Sequence, residues 1–249
     1  MWERLRLWSQ QWQRPVLRTL LPASCALCGG AADGAVCAPC QADYVRLDIP
    51  RCPCCANPLA GAPPERPCLC GSCLAHLPPF DATVAAVDYA SPLDQLVLQL
   101  KFGARLALAP WCARMLVDAV LARPDMLLPE LLLPVPLGRQ RLAERGFNQA
   151  LEIAKPLARA LGVPLQARLA VRAHDTLAQS SLAPGARQAN VRHAFVLAPQ
   201  MAPLVRGRHV GLVDDVMSSG HTLGELAALL KRFGATRVSN LVFARTPPH

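Results

Sequence analysis

The chain contains no apolar run approaching the ~20 residues that a membrane-spanning helix requires, although 52% of its 249 residues are hydrophobic. It also lacks the pattern of a secretory leader. Between Met1 and Leu21, Trp2, Trp8 and Trp12 alternate with Glu3, Arg4, Arg6, Gln10, Gln11 and Gln13, so no continuous apolar segment forms. The expected location is therefore cytoplasmic. Lysine is scarce, yet basic residues outnumber acidic ones 26 to 17, and the net charge is +9. That balance admits nucleic-acid or polyphosphate partners through electrostatics. A composition rich in Arg, Ala, Leu and Pro also fits codon bias, and a basic total is not a basic patch. Cysteine is almost missing from the C-terminal part: of eleven, ten lie between Cys25 and Cys73. In a cytosolic chain such density argues for metal rather than disulfides.

The cysteine-rich segment carries four C-x-x-C pairs, namely Cys25/Cys28, Cys37/Cys40, Cys52/Cys55 and Cys70/Cys73. Zinc takes four soft ligands in a tetrahedron, and each C-x-x-C turn presents two on one side. Eight thiolates therefore imply two structural zinc ions. No acid or histidine sits where a catalytic zinc would need an open position. Sequential pairing, with Cys25, Cys28, Cys37 and Cys40 in one site and Cys52, Cys55, Cys70 and Cys73 in the other, is favoured over a cross-braced arrangement, because each half repeats knuckle, insert, C-x-x-C and helical start. Cys54 and Cys68 are left over, as spares or with Cys68 replacing Cys70. Cys112 stands on an apolar stretch as a core residue.

Three parts follow from composition. Residues 1–22 form a basic amphipathic helix, either a membrane-surface or partner-binding arm or a helix packed on its own domain. Residues 23–78 are the metal module, with a Pro/Gly/Ala-rich loop at Pro58–Pro67 and a linker at Leu77–Phe80. Residues 80–249 alternate strand and helix patterns, an α/β signature. Strands are expected at 83–90, 131–136, 165–172, 195–197, 209–213 and 237–244. Helices are expected at 93–102, 107–122, 148–162 and from Thr222. Lys101 ends the first of these helices and is placed to face an anion. Arg139, Arg141 and Arg145 sit in a turn after the 131–136 strand, before a helix opened by Asn148. This is the usual place for a ligand loop in an open α/β sheet, and arginine's fork suits phosphate.

The most informative stretch is Val210 to Leu223. A short β-branched strand ends in Asp214 and Asp215, a loop of Ser218, Ser219 and Gly220 follows, and a helix begins near His221 and Thr222. Backbone N–H groups ahead of a helix, a permissive glycine and flanking hydroxyls make an anion cradle. The two acids accept hydrogen bonds from neighbouring hydroxyls. A phosphate site beside a diol site describes a ribose 5-phosphate.

This motif resembles the phosphoribosyl pyrophosphate (PRPP) signature of type I phosphoribosyltransferases, with His221 standing where that superfamily usually has a small residue. The wider pattern is closer still to one family. Pro134-Val-Pro-Leu, Arg145-Gly-Phe-Asn-Gln149, Lys101-Phe102, the paired cysteine knuckles, and Arg172, Thr176, Gln179, Leu182, Arg187, Asn190, Val191 and Phe195 in order resemble the ComF family of competence-related, phosphoribosyltransferase-like bacterial proteins. The resemblance spans residues 25–245. It implies a type I phosphoribosyltransferase fold (Rossmann-like, mostly parallel sheet) behind a double zinc ribbon, with His174–Asn190 as a hood over the site. It also implies PRPP as ligand, with Mg²⁺ on the pyrophosphate, and a role in DNA uptake.

On that basis Asp214, Asp215 and Arg187 are the candidate catalytic residues. Ser218, Ser219, Gly220, His221, Thr222, Arg139, Arg145, Asn148, Gln179 and Lys101 are the candidate ligand-binding residues. Two classes of function remain. One is phosphoribosyl transfer to an acceptor that no base-recognition signature identifies. The other is a non-catalytic accessory that binds PRPP or single-stranded DNA alongside the competence machinery.

Overall fold

The computed structural model describes residues 23–59, 61, 68–123, 125–173 and 194–247. The expected N-terminal helix, the hood with Gln179 and Arg187, and most of the insert between Pro58 and Pro67 lie outside the described residues.

Four parallel strands form the central sheet: β3 (Ala82–Asp88), β4 (Leu131–Pro134), β7 (His209–Met217) and β8 (Arg237–Arg245), in the order β3-β8-β7-β4. Their side chains are apolar and buried on both faces, as parallel strands covered by helices require. Two pairs of buried polar side chains meet within the sheet, while Asn240 Oδ1 has no hydrogen-bond partner among the described residues. Asn240 Nδ2 donates to Thr83 Oγ1 at 3.0 Å, and His209 Nε2 lies 2.8 Å from Ser239 Oγ. A separate antiparallel pair joins β5 (Ala170–Arg172) to β6 (Phe195–Leu197).

Helices α3 (Leu93–Phe102), α4 (Leu108–Leu121) and α6 (Gln149–Leu161) bury Leu96, Leu116, Ile153 and Leu157 against one face of the sheet. A short helix α7 (Ala202–Val205) precedes β7, and helix α8 (His221–Arg232) buries Leu223, Leu226 and Leu230 against the other face. The chain therefore leaves adjacent strands β4 and β7 toward opposite faces. Their carboxyl ends frame the crevice in which open α/β sheets bind ligands.

The cysteine module packs directly on this sheet. The turns around β1 (Ala23–Ser24) and β2 (Ala31–Ala32) and helix α1 (Ala38–Tyr44) join the core on the α3/α4 face, with Cys25, Val36 and Cys40 buried there. Trp111 of α4 donates from Nε1 to Gln41 Oε1 at 3.2 Å while its ring meets Phe243 edge-on at 5.7 Å. The second half, with helix α2 (Gly71–Ala75), joins the opposite core. It also covers the exposed edge of β3, where the Thr83 N–H donates to Pro53 O at 3.1 Å, which occupies an edge donor otherwise free to pair with another chain. Arg51 Nη1 pairs with Asp88 Oδ1 at 2.7 Å across the same junction. Phe80, at the end of the expected linker, is 4% exposed and belongs to the packed core.

Two local expectations are corrected. The strand does not end at the two acids. Asp214 and Asp215 lie inside β7, which keeps its register with β8 through Met217 opposite Arg245. Arg139, Arg141 and Arg145 lie not in a turn but on a short helix, α5 (Arg139–Arg145), closed by Gly146 in the left-handed region at φ 81°. Leu142, Ala143 and Glu144 favour helix between those arginines.

Candidate functional site

The crevice floor is the carboxyl half of β7. Asp214 and Asp215 stand side by side there, and their carboxyl groups interact. Asp215 is 3% exposed, and its Oδ2 meets Lys101 Nζ at 2.7 Å. Lys101, expected to face an anion, thus meets one supplied by its own chain, across the gap between α3 and β7. Asp214 Oδ1 accepts the Asp215 N–H at 2.9 Å, and Asp214 is half-buried. Desolvation, and after it the charge of Asp215, hold the Asp214 carboxyl well above the usual carboxylate range, against the pull of Lys101.

Beyond Met217 the loop Ser218-Ser219-Gly220 leads into α8. Gly220 sits at the N-cap with φ 79°, and a Cβ there would lie 2.7 Å from Met217 Cε, with Phe80 just beyond. Glycine is the residue that adopts this backbone without strain. Ser219 Oγ lies 3.0 Å from His221 Nδ1, so the histidine that departs from the superfamily pattern orients a loop hydroxyl. Thr222 sits half-buried in the first helical turn. The loop has the free N-terminal N–H groups and the dipole that suit an anion.

On the β4 side, Arg139 is exposed on α5. The Arg145 guanidinium lies 5.4 Å from the centroid of the Phe102 ring and also bonds Gln149 Oε1. Asn148 is committed elsewhere. It caps α6, accepting from Ala150 and Leu151 N–H at 3.0 and 3.5 Å, and its amide donates to Val135 O at 3.0 Å. It shapes the exit from β4 rather than presenting a free group to the crevice.

The eight knuckle cysteines gather in two sequential sets. Within each set the four thiol sulfurs lie within 4.8 Å of one another. Bonds of about 2.3 Å around a tetrahedral zinc put sulfurs about 3.8 Å apart. Cys28 and Cys37 are separated by 3.8 Å, and Cys55 and Cys70 by 3.5 Å, far beyond disulfide length. Backbone N–H groups of Leu27 and Cys37 point at Cys25 Sγ, and that of Cys70 points at Cys52 Sγ, which suits thiolates. Both sets fit structural zinc. Cys70 is in its set, so Cys68, which is exposed, does not replace it. Cys54 is buried with its thiol toward Phe80 O.

One residue of the site escapes the sequence reading. Arg245, at the end of β8, is 6% exposed and donates to backbone carbonyls on both sides of the junction between the cysteine module and the loop. Its only sequence signal is a charge closing an otherwise apolar buried strand.

Known proteins share these features. The phosphoribosyl transferase domain family matches residues 148–248, and the double zinc ribbon domain family matches residues 16–74. The chain is 37% identical over 232 residues to DNA utilization protein YhgH of Salmonella typhimurium, covering 91% of this chain and 98% of that protein. The protein of the same name from Escherichia coli K12 is 36% identical over 232 residues, with the same coverage. Competence protein F of Haemophilus influenzae is 35% identical over 179 residues, covering 71% of this chain and 78% of that one. A solved allosteric regulatory enzyme of purine biosynthesis aligns with 55% of this chain and a quarter (25%) of its own, at 19% identity and a TM-score of 0.34. The fold is that of a type I phosphoribosyltransferase preceded by a double zinc ribbon.

Proposed function

The chain belongs to the ComF family, with DNA utilization protein YhgH and competence protein F, and from that membership we propose that the β4/β7 crevice binds PRPP. The observation that carries the reading is the continuous β7–loop–α8 unit. It sets two carboxyls, two serines, a left-handed glycine and a helix N-terminus in one crevice. Residues 80–249 would be the ligand-binding domain and residues 23–78 the zinc module.

In this reading the N–H groups and hydroxyls of Ser218 to Thr222 hold the 5-phosphate, and Asp214 and Asp215 accept from the ribose hydroxyls. Lys101, already at the acid pair, and Arg139 and Arg145 on α5 face the pyrophosphate, with Arg187 and Gln179 joining from the hood. A Mg²⁺ ion bound with the pyrophosphate would neutralise part of its charge. In a transfer step, a nucleophile bonds to the anomeric carbon as the bond from that carbon to pyrophosphate breaks. Positive charge grows on the sugar, where the nearby acid oxygens stabilise it, while arginines stabilise the departing anion.

Calorimetric titration of PRPP with Mg²⁺ tests the binding. Saturable heat that vanishes in Asp215→Ala supports it, and no heat with the zinc-loaded protein refutes it. Pyrophosphate release with a pool of acceptors separates transfer from binding alone.

One observation favours a second, accessory reading. Phe102 is 75% exposed beside a stacked Arg145, next to the other arginines of α5. Aromatic platforms flanked by cations bind single-stranded nucleic acid. In that reading the protein serves DNA uptake by holding single-stranded DNA alongside the competence machinery. Oligonucleotide binding that falls steeply with salt and weakens in Phe102→Ala supports it. Salt-insensitive or absent binding refutes it.

A further inference from the structure

Arg245 is a buried cation held almost wholly by backbone. Its Nε donates to Cys55 O at 2.9 Å, and Nη1 donates to Met217 O at 3.0 Å, to Thr246 O at 2.6 Å and to Ser218 O. Among the described residues no carboxylate forms an ion pair with it. A buried charge without a counter-charge is costly. The Nε partner of Arg245, Cys55, belongs to the second four-cysteine set. A zinc ion held there by four thiolates would carry a net charge of −2 beside the guanidinium.

The three carbonyls outside the tail join two functional pieces. Cys55 belongs to the second knuckle, and Met217 and Ser218 open the loop that precedes α8. A cleft of about 400 Å³ lies between those pieces, with Asn57 and His76 on the knuckle side and Ser218 and Ser219 on the loop side. Neither Arg245 nor any similar clamp ties the first four-cysteine set to the loop, among the described residues. That set is joined to α3 and α4 instead, through Gln99 Nε2 to Ala26 O at 3.1 Å and through Trp111 to Gln41.

We propose that Arg245 is a positioning residue which ties the second zinc site to the phosphate loop, so that metal loading of that site sets the loop for its ligand. For its effect on ligand affinity the proposal rests on the loop's reading as a phosphate cradle. The tie itself stands independently of that reading.

The test uses the full-length zinc-loaded protein, with Arg245→Met, Arg245→Lys and the first-site variant Cys28→Ser. Three quantities are read: amide hydrogen exchange at 216–222, calorimetric affinity for ribose 5-phosphate, and the absorption spectrum of Co²⁺ placed in the second site. In Arg245→Met, loop exchange should rise and affinity should fall about tenfold or more, as for loss of a charged hydrogen-bond cluster. Arg245→Lys, which keeps the charge with fewer directed donors, should recover part of both. Ribose 5-phosphate should perturb the Co²⁺ spectrum in the wild type and not in Arg245→Met. Cys28→Ser should leave loop exchange unchanged. Unchanged exchange in Arg245→Met, or an equal rise in Cys28→Ser, overturns the proposal. If the wild type binds no ribose 5-phosphate, the phosphate reading fails while loop exchange still decides the tie. Should Arg245→Met not fold, Arg245→Lys and selective removal of the second-site metal by chelator read the same exchange, and no change in either overturns it.

Discussion

The two four-cysteine sets have the same knuckle spacing and different neighbours. The first has eight residues between its C-x-x-C pairs and the second fourteen. The first sinks into the core beneath α3 and α4, and the second joins the core beneath α8 and abuts the Ser218–Gly220 loop. They thus straddle the β3 edge, one on each face of the sheet. A repeated motif need not have a repeated role. Zinc can fold both halves, while among the described residues Arg245 links only the second half to the loop. The first reaches the acid pair only indirectly, since α3 carries both Gln99, which touches it, and Lys101, which pairs with Asp215.

The sharpest way to break this comparison is to remove one metal at a time. Cys55→Ser and Cys28→Ser should each bind one zinc in place of two by elemental analysis. Because metal binding and folding are one equilibrium in such modules, supplying about 10 kcal/mol or more, each should loosen its own half. Affinity for PRPP should fall only in Cys55→Ser. Equal losses in both would erase the distinction.

The next effect concerns the acids between the two sites. Lys101→Met leaves Asp215 buried and unpaired, which should cost about 3 kcal/mol in urea unfolding at neutral pH. Lys101→Met with Asp215→Asn should regain most of it. Gly220→Ala places a side chain at φ 79° against Met217. It should cost about 1 to 3 kcal/mol and weaken PRPP binding, leaving both zinc ions in place.

Asp214 adds a pH dependence of known sign. Its folded carboxyl titrates above its unfolded value of about 3.9, so the protonated form favours the folded state. That contribution is complete below the unfolded value and is lost as pH rises through the folded one. Asp214→Asn should therefore gain stability relative to the wild type between pH 5 and pH 8, read from urea midpoints. A gain in the opposite direction would contradict the environment described for Asp214. The smallest effect is Gln99→Ala, about 1 kcal/mol from the lost bond to Ala26 O, with the exposed bond from Arg105 adding little and PRPP affinity unchanged.

Much of this was legible in the sequence because it is local. The C-x-x-C spacings imply the two metal sets, and their sequential grouping emerges in the fold. Hydroxyls and glycine between an apolar strand and a helical pattern locate the loop that leads into α8. What escaped is set by partners far apart in the chain. The pairing of Lys101 with Asp215 depends on how α3 crosses β7, which periodicity does not reveal. The strand runs past its two acids because β8 continues alongside it, and a pair of charges by itself suggests a turn. Arg245 looks like a solvated strand end until the second knuckle closes over it. Asn148, a candidate ligand residue by sequence, spends its side chain capping α6 and bonding Val135 O.

The most direct measurement is amide hydrogen exchange of the zinc-loaded protein with and without PRPP and Mg²⁺. The account predicts protection at 214–222, weaker protection around Cys55 through Arg245, and none at Cys25–Cys40. Exchange that PRPP leaves unchanged at 214–222 would contradict it.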